Sequence, residues 1–154
     1  MIIEAAAWDD ADVRRLTTDQ QDEIRARYGG KEEPGAHPSA ADVAVVVVAR
    51  DGDGTALGCG ALRELADGEA EVKRMYVVPA ARGRGVSTAV LGALEDAARS
   101  RGWTTLRLET GSRQPEAVGL YAGAGYRRIG AFGAYAGDPD AADSLFFEKR
   151  LGGR

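Results

Sequence analysis

The stretch Val43 to Arg50, "VAVVVVAR", constrains the fold most. Its β-branched apolar residues show no polar alternation, so both faces of the strand it forms are apolar and it belongs in the middle of a sheet. Turn chemistry in "DGDG" (Asp51 to Gly54) joins it to "TALGCGALREL", and "ADGE" (Ala66 to Glu69) joins that to "AEVKRMYVVP". The pattern predicts a three-strand antiparallel meander.

Different spacings flank the meander. From Ser87 to Arg101 the apolar residues Val90, Leu91, Leu94, Ala97 and Ala98 recur at three- and four-residue intervals, which predicts an amphipathic helix. "TTLRLET" follows as a strand, "QPEAVGLYAGAG" as a short helix, and "YRRIGAF" and "SLFFEKRL" as strands. Upstream, "IIEAAA" reads as a first strand. "WDDADVRRL" and "TTDQQDEIRARYGG" read as two helical segments, the second entered through its threonines and stopped at Gly29-Gly30. Lys31 to Asp42, with two prolines and no periodicity, reads as a mobile loop. No repeat or linker divides the chain, and 154 residues suit one domain, 1–154.

Composition narrows the function classes. A formal net charge of -4 and a pI near 5.1 give no bulk attraction for nucleic acid or an anionic membrane. The apolar runs fall short of a membrane span, and the expected location is the cytoplasm. Cys59 and His37 are the only cysteine and histidine, which excludes an internal disulfide and argues against a Cys/His metal site or dyad. Cys59 reads as a buried structural thiol and His37 as a solvated loop residue.

Against this acidic background, "RGRGVS" (Arg82 to Ser87) places two arginines among glycines between a strand and a helix start. Such a turn directs backbone N–H groups and the positive end of a helix dipole at one point, which makes an anion site. Gly83 and Gly85 let a phosphate approach closely, and Arg82 and Arg84 can add charged contacts. A P-loop needs a lysine after the glycines, and none is there. A dinucleotide fingerprint needs glycine where Thr88 stands and repeated βαβ units, although Glu109 imitates its ribose-binding acid.

Two segments resemble the Gcn5-related N-acetyltransferase (GNAT) family. Arg82-x-x-Gly85-x-Ser87 after "MYVVP" is similar to its coenzyme A loop, with serine in place of glycine or alanine. "QPEAVGLYAGAGY" looks like a second family segment, with Gln114 in place of asparagine. The resemblance implies an α/β (α+β) fold with a mixed, mostly antiparallel sheet of six to seven strands, splayed between strands 4 and 5 and flanked by about four helices. It also implies a β-bulge near Arg74 to Tyr76.

The activity it implies is acetyl-CoA-dependent N-acetylation of a small primary amine or amino acid derivative, by direct attack in a ternary complex. The alternative is a non-catalytic acyl-CoA-binding sensor or assembly module. The resemblance assigns acetyl-CoA as co-substrate, with the pyrophosphate on the N–H groups of Gly83, Arg84, Gly85, Val86 and Ser87, and Arg82 and Gln114 beside them. Met75, Tyr76 and Val77 would pair with the pantetheine arm, and the Val77 N–H would polarise the thioester carbonyl. Tyr121 matches the group that meets the leaving thiolate, while Tyr126 reads as a core aromatic.

For the general base the sequence offers Glu71 first and Glu109 second, or an acceptor that arrives deprotonated. Apart from that role, Glu71 reads as one partner of an exposed cross-strand ion pair. The acceptor would enter among Trp8, Asp9, Asp10, Tyr28, the 31–42 loop and Gly133 to Asp143. The partner expected is a small-molecule amine, with no metal, nucleic acid or membrane, and a homodimer is left open.

Overall fold

The computed structural model describes residues 1–31 and 33–152. Glu32 of the expected loop, and Gly153 and Arg154 at the end of the expected domain, lie outside the described residues. Strands β1 (Ile2–Ala5), β2 (Val43–Arg50), β3 (Ala56–Glu64), β4 (Glu69–Val77), β5 (Thr105–Gly111), β6 (Arg127–Ile129) and β7 (Ser144–Arg150) form one sheet in the order β1-β2-β3-β4-β5-β7-β6. Every neighbouring pair is antiparallel except β4 and β5. The mixed, mostly antiparallel sheet is the expected one.

The double-sided apolar run explains the layering. In β2, Val47 and Ala49 join the core under α2 (Val86–Ser100), which also takes in Val90, Leu91 and Leu94. Val46 and Val48 point the other way, onto Val13 and Leu16 of α1 (Ala11–Arg27). Each fully buried Val or Leu side chain contributes about 1.5–3 kcal/mol. The strand is therefore held from both faces. The third helix, α3 (Pro115–Gly123), packs Ala117, Val118 and Leu120 against the α2-side core.

Among the described residues there are three α-helices where about four were expected, because the two expected N-terminal segments are one helix. Asp10 caps it, accepting hydrogen bonds from the N–H groups of Asp12 (2.9 Å) and Val13 (3.3 Å). Thr17 stands inside the helix, its hydroxyl donating back to the Val13 carbonyl at 2.9 Å. That bond satisfies the threonine without ending the helix. The expected stop at Gly29 and Gly30 does hold, with both glycines at positive φ.

The described residues of the 31–42 loop hold no helix or strand, but the loop is tethered. Asp138 accepts from the Gly35 N–H at 2.9 Å, and Arg63 donates to the Ala36 carbonyl at 2.6 Å.

Candidate functional site

Strands β4 and β5 stay paired only from Glu69 opposite Thr105 to Glu71 opposite Arg107, and then part. On its other edge β4 bulges: Cys59 faces Tyr76 and Ala61 faces Lys73, so Arg74 and Met75 together oppose Gly60. Arg74 takes a left-handed φ of 59°, the only non-glycine among the described residues to do so. The strain costs about 1–3 kcal/mol. Cys59 Sγ donates to the Arg74 carbonyl at 3.4 Å, and Arg74 Nη1 donates to Glu33 at 2.6 Å. The expected splay and bulge are both present. Between the strands opens a cleft of about 340 Å³.

One end of the cleft is the glycine turn. Gly83 and Gly85 have φ values of 82° and 79°, a conformation that side chains disfavour, and a Cβ added to either would meet nothing within 4 Å. Gly85 caps α2 without a side-chain hydrogen bond, and no acidic residue stands in the first turn. The first N–H groups of α2 are thus left without a side-chain cap, and Gly83, Gly85, Val86 and Ser87 line the cleft.

Arg82 lines this end. It donates through Nε to the Val77 carbonyl at 3.0 Å and through Nη2 to Glu23 of α1 at 2.8 Å, and its guanidinium lies over the Tyr76 ring. Met75, Tyr76, Val77, Val86, Ser87 and Gln114 also line the cleft. Arg84 does not. Its guanidinium is turned toward Asp51 in the β2–β3 hairpin, at 3.6 Å. The Met75 carbonyl accepts from Gln20 Nε2 of α1 at 2.7 Å.

Deeper in, the cleft is lined by Tyr121 from α3 and Glu109 from β5. The Tyr121 hydroxyl has no hydrogen-bond partner among the described residues, yet no buried side-chain oxygen there lacks one, so this oxygen reaches the cleft. Burial first, and the neighbouring Glu109 charge second, push its phenol above the ordinary tyrosine range. Glu109 accepts from the Ser144 hydroxyl at 2.6 Å, and its pKa is raised, chiefly by burial against the lowering effect of that hydrogen bond. Tyr126 is a core aromatic as expected, 5% exposed and donating to Glu95 at 2.9 Å.

Glu71 is not the exposed ion-pair partner that alternation along β4 suggests. It is 1% exposed, and it accepts from Arg63 Nη2 at 2.8 Å and from the Tyr135 hydroxyl. It lies off the main cleft and lines a smaller recess with Arg63 and Tyr135. Both of its carboxylate oxygens already hold donors, whereas Glu109 lines the main cleft.

The expected acceptor surface is also revised. Tyr28, Lys31, Glu33, Asp140 and Asp143 line the cleft, whereas Trp8, Asp9 and Asp10 do not. Trp8 packs beside the α1-side core and Asp10 is spent on the α1 cap.

Sequence reasoning missed Gln20, Glu23 and Ser144, and it placed Glu33 and Tyr135 on the acceptor side only as members of two loops. Tyr135 carried a faint signal, as an aromatic in a glycine-rich loop. Glu33 carried none, because its importance comes from residues forty positions away. Burial pushes the Cys59 thiol up to about 12, in line with its structural reading.

A model of the Acetyltransferase (GNAT) family matches residues 6–126. The chain is 42% identical over 111 residues to an IAA acetyltransferase of Azospirillum brasilense, an alignment covering 71% of this chain and 69% of that one. A solved structure from Klebsiella pneumoniae subsp. pneumoniae, assigned as an acyl-CoA N-acyltransferase, superposes with a TM-score of 0.83 at 34% identity, covering 98% of this chain and 97% of the other. A phosphinothricin acetyltransferase from Sinorhizobium meliloti, solved in complex with acetyl-CoA, shares the fold with a TM-score of 0.69 at 21% identity, covering 98% and 88%. The family match across most of the chain, on a sheet parted at β4 and β5, makes this protein a member of the GNAT acetyltransferase family and hence an acyltransferase.

Proposed function

We propose that the protein transfers the acetyl group of acetyl-CoA to the nitrogen of a small primary amine or amino acid derivative, by direct attack while both substrates are bound. The observation that carries this reading is the continuity of the cleft, which runs from the open turn at Gly83 and Gly85 to Glu109 and Tyr121. Acetyl-CoA binding by relatives of the family supports its role as co-substrate here.

In this reading the turn and Arg82 bind the pyrophosphate, and the acetyl end lies beside the bulged strand. The amine nitrogen, once deprotonated, forms its bond to the thioester carbon as the carbon–sulfur bond breaks, and the second proton it sheds goes to the departing sulfur, which leaves as the coenzyme A thiol. Glu109 takes the ammonium proton, directly or through a water, and its raised pKa makes it a stronger base than an exposed carboxylate. The Tyr121 hydroxyl donates a hydrogen bond to the sulfur as it gains charge. Its elevated pKa suits hydrogen bonding better than outright ionisation. An acyl-cysteine route is disfavoured, because Cys59 is buried and its thiol is held neutral.

The test is thiol release from acetyl-CoA across a panel of primary amines, with the parent and Glu109→Gln side by side. Amine-dependent release that Glu109→Gln loses supports the reading. Tight acetyl-CoA binding with no release for any amine would return the chain to the sensor alternative.

A further inference from the structure

The cleft is also walled by Lys73, Arg74 and Glu33, and their arrangement is that of an occupied carboxylate site. Lys73 Nζ lies 2.6 Å from one oxygen of Glu33, and Arg74 Nη1 lies 2.6 Å from the other. The three side chains are 5%, 10% and 10% exposed. Burial alone would raise the Glu33 pKa, but the charges and hydrogen bonds of the two cations outweigh it and hold the carboxyl below its ordinary range.

Glu33 is a replaceable occupant. It comes from an irregular loop whose backbone is pinned just after it, at Gly35 by Asp138 and at Ala36 by Arg63. Rotation of its side chain away from Lys73 and Arg74 would leave those two backbone tethers unbroken. Lys73 would then keep the Tyr135 hydroxyl at 3.2 Å and, as its nearest carboxylate, Glu71, 3.9 Å distant and already engaged by Arg63 and Tyr135. Arg74 would lose the carboxylate it pairs with, and Lys73 would share Glu71 with Arg63. Such a cluster favours an incoming anion and opposes an acceptor that carries only positive charge.

We propose that Lys73 and Arg74 recognise a carboxylate on the acyl acceptor, so that the acceptor is an amino acid or another small amine bearing a carboxylic acid, and that Glu33 fills the site until it binds. The acceptor nitrogen then lies toward Glu109, which lines the same cleft and feels the Lys73 charge. This rests on the acetyl-transfer reading for its chemistry.

The experiment compares each amino acid with its own carboxamide as acceptor, by thiol release. Carboxamides have the more readily deprotonated amine, so a preference for acids cannot come from amine basicity. A charge-assisted contact made only by the acid predicts a kcat/KM about 10-fold to 100-fold higher for the acid than for its carboxamide. Arg74→Gln and Lys73→Met should collapse that ratio.

Lys73→Met risks unfolding, so Glu33→Gln supplies a gain: KM should fall several-fold more for acids than for their carboxamides. A merely structural Glu33 would not produce a charge-selective gain. A second arm reads binding without turnover, using calorimetry of N-acetyl amino acids against their carboxamides on the protein loaded with coenzyme A. Tighter acid binding with no turnover on any amine supports the carboxylate site and overturns acetyl transfer. Turnover with no discrimination in either arm overturns the carboxylate site alone.

Discussion

The two ends of the cleft are built from different materials. At the glycine turn the ligand-facing groups are backbone N–H donors, and the charged contact beside them is a half-exposed pair, Arg82 with Glu23. At the β4 bulge the cleft is walled by the side chains of Glu33, Lys73 and Arg74, and Lys73 joins them to the buried network of Arg63, Glu71 and Tyr135 behind it. A backbone site serves one invariant ligand and tolerates changes around it. A buried side-chain network sets specificity, and it fails as a unit when one member is lost.

This contrast sets the sizes of the expected effects. Glu71→Ala should do most damage, because it leaves Arg63 buried without its carboxylate and the Tyr135 hydroxyl without an acceptor. A loss of about 3–5 kcal/mol in denaturant-unfolding stability is expected. A loss under about 1 kcal/mol would show that the network at the bulge is not a unit.

Next in size, Tyr121→Phe should lower kcat by about 10²-fold to 10⁴-fold with little change in acetyl-CoA affinity, as single-turnover and binding measurements can separate. Retained activity would make Tyr121 a core aromatic.

Glu109 adds a pH signature. Its proton must leave before it can act, and its pKa is raised, so kcat/KM should climb with pH through a limb above the ordinary carboxylate range. Glu109→Gln should erase that limb. The same shift enters stability with the opposite sense. The folded state holds this proton more tightly than the unfolded chain does, so the contribution is full at low pH and is lost as pH rises through the raised pKa.

The coenzyme end should respond more gently. Arg82→Ala should weaken acetyl-CoA binding by about 1.5–3 kcal/mol at low salt, less whatever is regained when Glu23 no longer competes. Glu23→Gln should therefore tighten binding. Arg84→Ala should change affinity least, by about 0.5 kcal/mol or less, because its guanidinium is turned toward Asp51. Equal losses at Arg82 and Arg84 would mean that the turn rearranges around the coenzyme.

The same division explains what was legible in the sequence. The meander, the α2 helix and the coenzyme turn are local patterns, written in consecutive residues such as "VAVVVVAR" and "RGRGVS". Even the bulge, which the family resemblance implied, is confined to neighbouring residues. The acceptor end is not local: Glu33 meets Lys73, and Glu71 meets Tyr135, across 40 and 64 positions. Period-two alternation put Glu71 on a face with Lys73, but it could not tell that the face was covered. The split of α1 failed for a related reason, since threonine's preference for caps was overruled by a hydrogen bond to its own helix and by the packing of Val13 and Leu16.

Arg74 stands where the backbone alone would choose glycine. Replacing it with glycine should relieve strain of about 1 kcal/mol while deleting one of the two cations that hold Glu33, so backbone fitness and ligand recognition pull this position in opposite directions. A population of variants selected for heat resistance alone would drift toward glycine at this site. One selected for growth that depends on the acetylated product would keep arginine, and the divergence between the two populations would gauge how strongly selection for turnover outweighs a locally strained peptide.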